Sequence, residues 1–160
     1  MWTIYRQSDE PLLLPLDSLR SARLDGFNLH RASLRGADLG GASLIRADLR
    51  GADLEAVNLR WAVLIQARLA NAWLADADLG EAILTGAHAA GADFQGANLT
   101  GAVFTNADLD GADLRQSVLF GARLDCLNLE RARLSGAVFD ASTVWPADFN
   151  PLKHGALSVH

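Results

Sequence analysis

From Ala22 to Phe149 the apolar positions of this chain recur with a period of five residues. Leucine, or a residue standing in for it, falls at every position ending in 4 or 9, and alanine stands two residues earlier. Of 26 successive units, 20 carry Leu and 21 carry Ala in these columns. The segment Ala47 to Leu54, Ala-Asp-Leu-Arg-Gly-Ala-Asp-Leu, shows the unit in its plainest form. A period of five fits neither a helical face, which recurs near 3.6 residues, nor a strand face, which recurs at 2. Alanine and leucine two apart do share a face where the backbone is extended, and the three residues between such pairs must then turn the chain by a fixed angle. Gly follows the variable position in 11 of the 26 units, where a turn requires it. Turns of one hand wind a coil, and neighbouring coils pair like parallel strands, each burying the face the other leaves bare. The pattern predicts an unbroken phase to Phe149.

Tandem Ala-Asp-Leu-x-Gly resembles the pentapeptide-repeat family over roughly four-fifths of the chain. The resemblance implies an all-β fold, a right-handed quadrilateral (four-sided) β-solenoid with four pentads to a coil. Leu and Ala point inward in that fold, and the other three positions face out. The 128 residues of the repeat region would make about six coils, a stack about 30 Å long at an inter-strand spacing of about 4.8 Å. Solenoid ends expose a core layer and an open ladder edge, so both need covering. We therefore expect an N-terminal cap over 1–21, the solenoid over 22–149 and a C-terminal tail over 150–160. Trp2, Ile4 and Tyr5 alternate as a short strand does, Asp17-Ser18-Leu19-Arg20 reads as a brief helical turn, and Phe27 is placed to meet the cap. Trp145, Phe149 and the tail beyond read as a lid on the last coil.

Composition narrows the class further. At 160 residues the chain allows one domain, and its 50% hydrophobic content is spread periodically. No run approaches the ~18 apolar residues of a membrane-spanning helix. Leu12 to Leu16 is short for a signal segment and is interrupted by Pro11 and Pro15. The single Cys126 fits a reducing compartment, and a bacterial cytoplasm is the expected location. In the five-residue phase Cys126 falls at an outward corner, as an inert surface residue. His30, His88, His154 and His160 lack metal-ligand spacing. There is no phosphate-binding loop, Gly-x-Ser-x-Gly or Cys/His pairing. We expect no cofactor, no metal and no enzymatic activity. Ala89 replaces a core leucine, and Phe94 and Phe104 nearby restore the volume, which reads as packing.

Function must then lie on outward positions, and two surfaces stand out. Around Leu44, Leu64, Leu84 and Phe104 the exterior stacks Ile45, Val63, Ile65, Ile83 and Val103, with Thr85 and Thr105. β-Branched residues suit extended walls, yet five aliphatics in adjacent coils also make a dry patch, which is covered by the protein's own tail or marks a partner surface. The second surface is electrostatic. From Leu69 to Leu114 there is no Lys or Arg and there are seven acids, Asp76, Asp78, Glu81, Asp93, Asp108, Asp110 and Asp113, within a chain of net charge −5. Spread over about 11 Å, that belt has one charge per ~1.6 Å, close to the ~1.7 Å of duplex DNA. Asp before leucine also bonds nearby backbone N–H groups, and the alternation Asp38, Asn58, Asp78, Asn98 fits such turn capping. The resemblance adds that some members imitate DNA and bind DNA gyrase or topoisomerase IV, inhibiting them or protecting them from quinolones. The basic residues, interleaved with Asp25, Asp38, Asp48, Asp53 and Glu55 and lacking an aromatic platform, give no sign of direct nucleic-acid binding. The leading expectation is a rigid protein-interaction scaffold with an unidentified protein partner or a homodimer. The second is a DNA mimic that binds gyrase through the belt. Trp61 and Trp73, both outward, are further anchor candidates.

Overall fold

The computed structural model describes residues 2–6, 10–14 and 17–159; Pro15, Leu16 and His160 lie outside the described residues. Its organising unit is a corner. From Ser21 to Gly121, every fifth residue has φ between +53° and +70°. The carbonyl of the leucine-column residue two positions earlier accepts the N–H of the residue three positions on, at 2.8–3.3 Å. A negative φ followed by a positive one, closed by that bond, is a type II β-turn. Gly occupies ten of these corners and other residues eleven, among them Arg31, Ala56 and Trp61. The turn geometry is therefore imposed by the coil even where the residue resists it.

Between corners the chain is extended and pairs with itself twenty residues later. Parallel bridges run Ser43–Val63–Ile83–Val103, Asp48–Arg68–His88–Asp108, Asp53–Trp73–Asp93–Asp113 and Asp38–Asn58–Asp78–Asn98. Three backbone bonds per pentad hold each step: Leu44 N–H to the Val63 carbonyl at 2.8 Å, Arg46 N–H to Ile65 at 2.9 Å, and Val63 N–H to Ala42 at 2.9 Å. Nearly every buried backbone group is thereby satisfied, which a solenoid interior of Ala and Leu requires. The core is one continuous column of alanines and leucines. Ala89 is fully buried, and Phe94 and Phe104 meet edge to face with ring centroids 5.8 Å apart, so the aromatic rings fill the space a leucine would have taken.

The phase does not run unbroken to Phe149. Asp108 pairs with Leu127 rather than with residue 128, and Arg123 pairs with Val144, one residue late. Cys126 N–H donates back to the Leu124 carbonyl at 2.7 Å, which tightens the corner by one residue. Cys126 thus enters the alanine column and is buried, while Leu127 turns outward with 53% exposure. This reverses the expected placement of the two. A leucine in a column shaped for alanine would overfill the coil, and the small thiol fits. The short 3-10 turn Leu129–Arg131 then returns the lost residue, and Asp113 pairs with Arg133 in the original register.

At the N-terminal end β1 (Trp2–Ile4) and β2 (Leu12–Leu14) form an antiparallel hairpin. It buries Ile4 and Leu14 and joins the first coil through Ser33 N–H to the Tyr5 carbonyl at 2.8 Å. Phe27 is partly buried against the same core. Residues 17–20 form a bend and not a helical turn, because Leu19 already occupies the leucine column and its carbonyl already closes the first corner with Ala22 N–H. At the other end β3 (Val138–Phe139) pairs in parallel with β4 (Leu157–Ser158). Phe139 meets Trp145 edge to face at a centroid separation of 5.2 Å, and Trp145, Phe149 and His154 stack in succession at 5.5 and 4.5 Å.

Candidate interaction face

Each pentad sends the residue before the leucine onto the bridge ladder and the residue after it into the second position of the turn, so both face outward. On one wall these two columns carry Val63, Ile83 and Val103, and Ile45, Ile65, Thr85 and Thr105. Ile83 is 37% exposed and the other four aliphatics are half-buried by their neighbours along the ladder. Charged rungs flank the aliphatic rungs on both sides, and beyond Arg123 the ladder continues to Val144. Arg23 and Asp25 form the first rung, and Arg123 and Asp125 form the sixth. Asp25 accepts from Ser43 Oγ at 2.5 Å and from Ile45 N–H at 3.0 Å, bonds that hold its carboxyl below the usual carboxylate range. Asp125 accepts from Thr105 Oγ1 at 2.8 Å and lies 3.5 Å from Arg123. This framing by two Arg/Asp rungs was readable in the twenty-residue spacing but emerges only once the coil length is known. The C-terminal segment bonds to Gly136, Ala137 and Phe139, and the N-terminal hairpin to residues 32 and 33, neither of which lies on this wall.

The seven acids of the belt divide into two groups. Asp78, Asp93, Asp108 and Asp113 each accept the backbone N–H two residues on, at 2.9–3.1 Å. Asn28, Asp38, Asp48, Asp53, Asn58 and Asn98 do the same in their own pentads. Asn58 and Asn98 donate from Nδ2 to Asp38 and Asp78 at 2.8 and 2.9 Å, so the Asp/Asn alternation zips one ladder. Asp113 is nearly buried and holds Arg115 at 2.7 Å and Arg133 at 2.9 Å. Burial works to raise its pKa, but the hydrogen bonds from Arg115 and the charges of Arg133 and Arg115 outweigh it and hold the carboxyl low. Asp78 reaches Arg60 at 3.5 Å and Asp110 reaches Arg131 at 3.4 Å. Asp76 and Glu81 stand exposed on left-handed corners. Among the described residues no arginine or lysine forms an ion pair with Asp76, Glu81, Asp93 or Asp108.

The remaining candidates separate in space. Trp61 is 49% exposed under the Arg60 guanidinium, 4.7 Å from its ring centroid. Trp73 walls a concavity of about 420 Å³ with Arg31, Ser33, Gly51, Asp53 and Asn71. That notch exists because Gly51 leaves its corner bare between Arg31 and Asn71, again a twenty-residue column. The Cys126 thiol is pushed up to about 12 by burial, with nearby carboxylates adding to the shift. His88 is exposed between Arg68 and Asp108. No group of three or more His, Cys, Asp or Glu among the described residues is placed to hold a metal ion, and none of their helices is long and apolar enough to cross a membrane.

The family model for pentapeptide repeats matches residues 18–51, 42–80, 62–101, 82–119 and 97–136. The chain belongs to the pentapeptide-repeat family. Among solved structures, this pentapeptide-repeat protein is similar to alr5209, a pentapeptide repeat protein from Nostoc PCC 7120, at 29% identity over 88% of this chain and 83% of that one, with a TM-score of 0.34. It is also similar to HetL, a pentapeptide repeat protein involved in heterocyst differentiation regulation in Nostoc sp. strain PCC 7120. There the identity is 25% over 88% of this chain and 87% of that one, with a TM-score of 0.33. Full-length QnrB1, a plasmid-mediated fluoroquinolone resistance protein, is 18% identical over 87% of this chain and 92% of that one, with a TM-score of 0.33. Comparison with curated proteins finds no match.

Proposed function

We propose that this pentapeptide-repeat protein is a non-enzymatic, cytoplasmic interaction scaffold. Its form is a right-handed, four-sided solenoid of about six coils, closed by caps over 1–21 and 150–160. Its working surface is the wall of Ile45, Val63, Ile65, Ile83 and Val103. The observation that carries this reading is the placement of that apolar wall on the outside, away from both terminal segments. Burying such aliphatic surface against a partner contributes about 25 cal/mol per Å², and the rigid ladder holds it without an ordering cost at the moment of binding. The test is to introduce Ile65→Lys and Ile83→Lys separately. Partner binding or self-association is lost in both while the circular dichroism spectrum is kept. Unchanged interactions in both variants would reduce the wall to a structural role.

The second reading, a DNA mimic acting on gyrase, is favoured by the carboxylates of Asp76, Glu81, Asp93 and Asp108, which form no ion pair with an arginine or lysine among the described residues. Asp113, and to a lesser degree Asp78 and Asp110, have theirs, so the effective belt is smaller than seven charges. A gyrase supercoiling assay across a salt series, with and without a quinolone, tests it. Inhibition or protection that fades as salt rises supports the belt. No effect at low salt and excess protein removes this reading.

A further inference from the structure

The apolar wall is framed in a way that selects its partner. Six rungs separated by twenty residues carry two outward columns. The rungs that flank the apolar ones are Arg23 with Asp25 and Arg123 with Asp125, and the ladder column continues past Arg123 to Val144. In both, the arginine lies in the ladder column and the aspartate in the turn column. The four rungs between them carry aliphatic or β-branched side chains, with the one exception of Ser43. Two copies facing each other through this wall have two symmetric ways to dock. If the rods run antiparallel, each column meets itself reversed, so Arg23 opposes Arg123 of the other copy and Asp25 opposes Asp125. If the rods run parallel about a twofold axis along the stack, each ladder column meets the other copy's turn column at the same rung. Arg23 then opposes Asp25 and Arg123 opposes Asp125, twice each by symmetry, with the apolar rungs between. With these six rungs fully overlapped, charge chooses the parallel arrangement.

We propose that the partner of the aliphatic wall is a second copy of this chain, docked face to face, parallel and in register. The inference rests on the reading of this wall as the interaction surface. The interface is closed and isologous, which stops growth at the dimer. Six rungs at about 4.8 Å by two columns about 7 Å apart form a patch of about 200 Å² per copy. That is below the ~800 Å² per partner of a stable complex, so the dimer is weak and dissociates on dilution. The charged end rungs supply register more than affinity. Arg123 is already 3.5 Å from its own Asp125, so pairing across the twofold extends an existing ion pair into a four-charge cluster.

Sedimentation equilibrium on the full chain, over a concentration series reaching the millimolar range, tests the inference. The mass rises from monomer to dimer and stops there. Ile83→Lys abolishes the rise, and Arg23→Glu weakens it by about tenfold, since each copy then sets a glutamate against the other's Asp25. The swap Arg23→Glu with Asp25→Arg restores it. Mixed chains that keep the buried Cys126 and each add one surface cysteine fix the direction: Val103→Cys cross-links with Thr105→Cys in the parallel dimer, and with Ser43→Cys in an antiparallel one. A chain that stays monomeric throughout overturns the inference, as does a dimer indifferent to Ile83→Lys. Tighter association on Arg23→Glu, or the Ser43→Cys cross-link, overturns the parallel arrangement. A monomeric wild type whose binding to some other protein is lost on Ile83→Lys retires the self-pairing but keeps the wall as an interaction surface.

Discussion

Ala56 and Gly111 occupy equivalent corners, with φ of +54° and +65°, and they isolate the energetics of the turn. Ala56 is exposed and presents only a methyl group. A Cβ added at Gly111 meets nothing within 4 Å. Exchanging the two residue types therefore changes no packing and leaves only the backbone. An L-residue in the left-handed region costs about 1–2 kcal/mol. Replacing alanine by glycine also frees the unfolded chain, which costs about 0.4–1 kcal/mol. The difference predicts that Ala56→Gly stabilises the protein by about 0.5–1 kcal/mol and that Gly111→Ala destabilises it by a similar amount. For a chain of this length that is a rise and a fall in Tm of about 2–3 °C. Thermal unfolding of the two variants and the wild type, followed by circular dichroism in one buffer, gives the comparison. Shifts of the same sign in both variants, or a loss of stability in Ala56→Gly, would refute the reasoning, because the corners would then not be held in the left-handed region against residue preference.

Other outcomes follow from the charged and buried groups. Asp113→Asn leaves Arg115 and Arg133 without their shared carboxylate and lowers stability by about 1–2 kcal/mol in urea unfolding, less than a buried pair because both arginines reach solvent. Asp113, Asp48 and Asp140 all have carboxyl groups held below the usual range, Asp48 first by the Arg50 side chain and Asp140 first by Ser142. A depressed folded pKa contributes stability that is present above the unfolded value near ~3.9 and is lost as pH falls through the folded one. A urea midpoint that is flat from neutrality to about pH 5 and declines below about pH 4 is therefore expected, and a shallower decline in Asp113→Asn identifies its share. The Cys126 thiol, buried and pushed up to about 12, reacts with Ellman's reagent only as fast as the last coil opens. Labelling at the rate of a free thiol at pH 8 would return Cys126 to the surface.

The five-residue columns alone determine most of this molecule. Because every pentad must bury one leucine and one alanine and turn once, Leu24 through Leu84 lie inward whatever their neighbours are. The outward positions of Ile65, Ile83, Trp61 and Trp73 follow from the same arithmetic. So does the turn-capping role of Asp38 or Asp78, since it depends only on a carboxylate two residues before the N–H that precedes a corner. Where the pattern carried too large a residue, at Leu127 in an alanine column, phase counting placed Cys126 outside and the tertiary structure put it inside. That choice depends on the volume available in the coil, which no column of letters records. Residue 19 was similarly read as part of a cap, although its burial was decided by contact with the coil that follows. The partners of individual charges were also a tertiary matter. Asp113 meets Arg133 and Asp110 meets Arg131 only because the chain returns to the same wall about one coil later, so an acidic belt in sequence becomes a partly neutralised one in space. Local chemistry repeats every five residues and is legible there; neighbours are set by the twenty-residue coil, and only its closure decides which side chains meet.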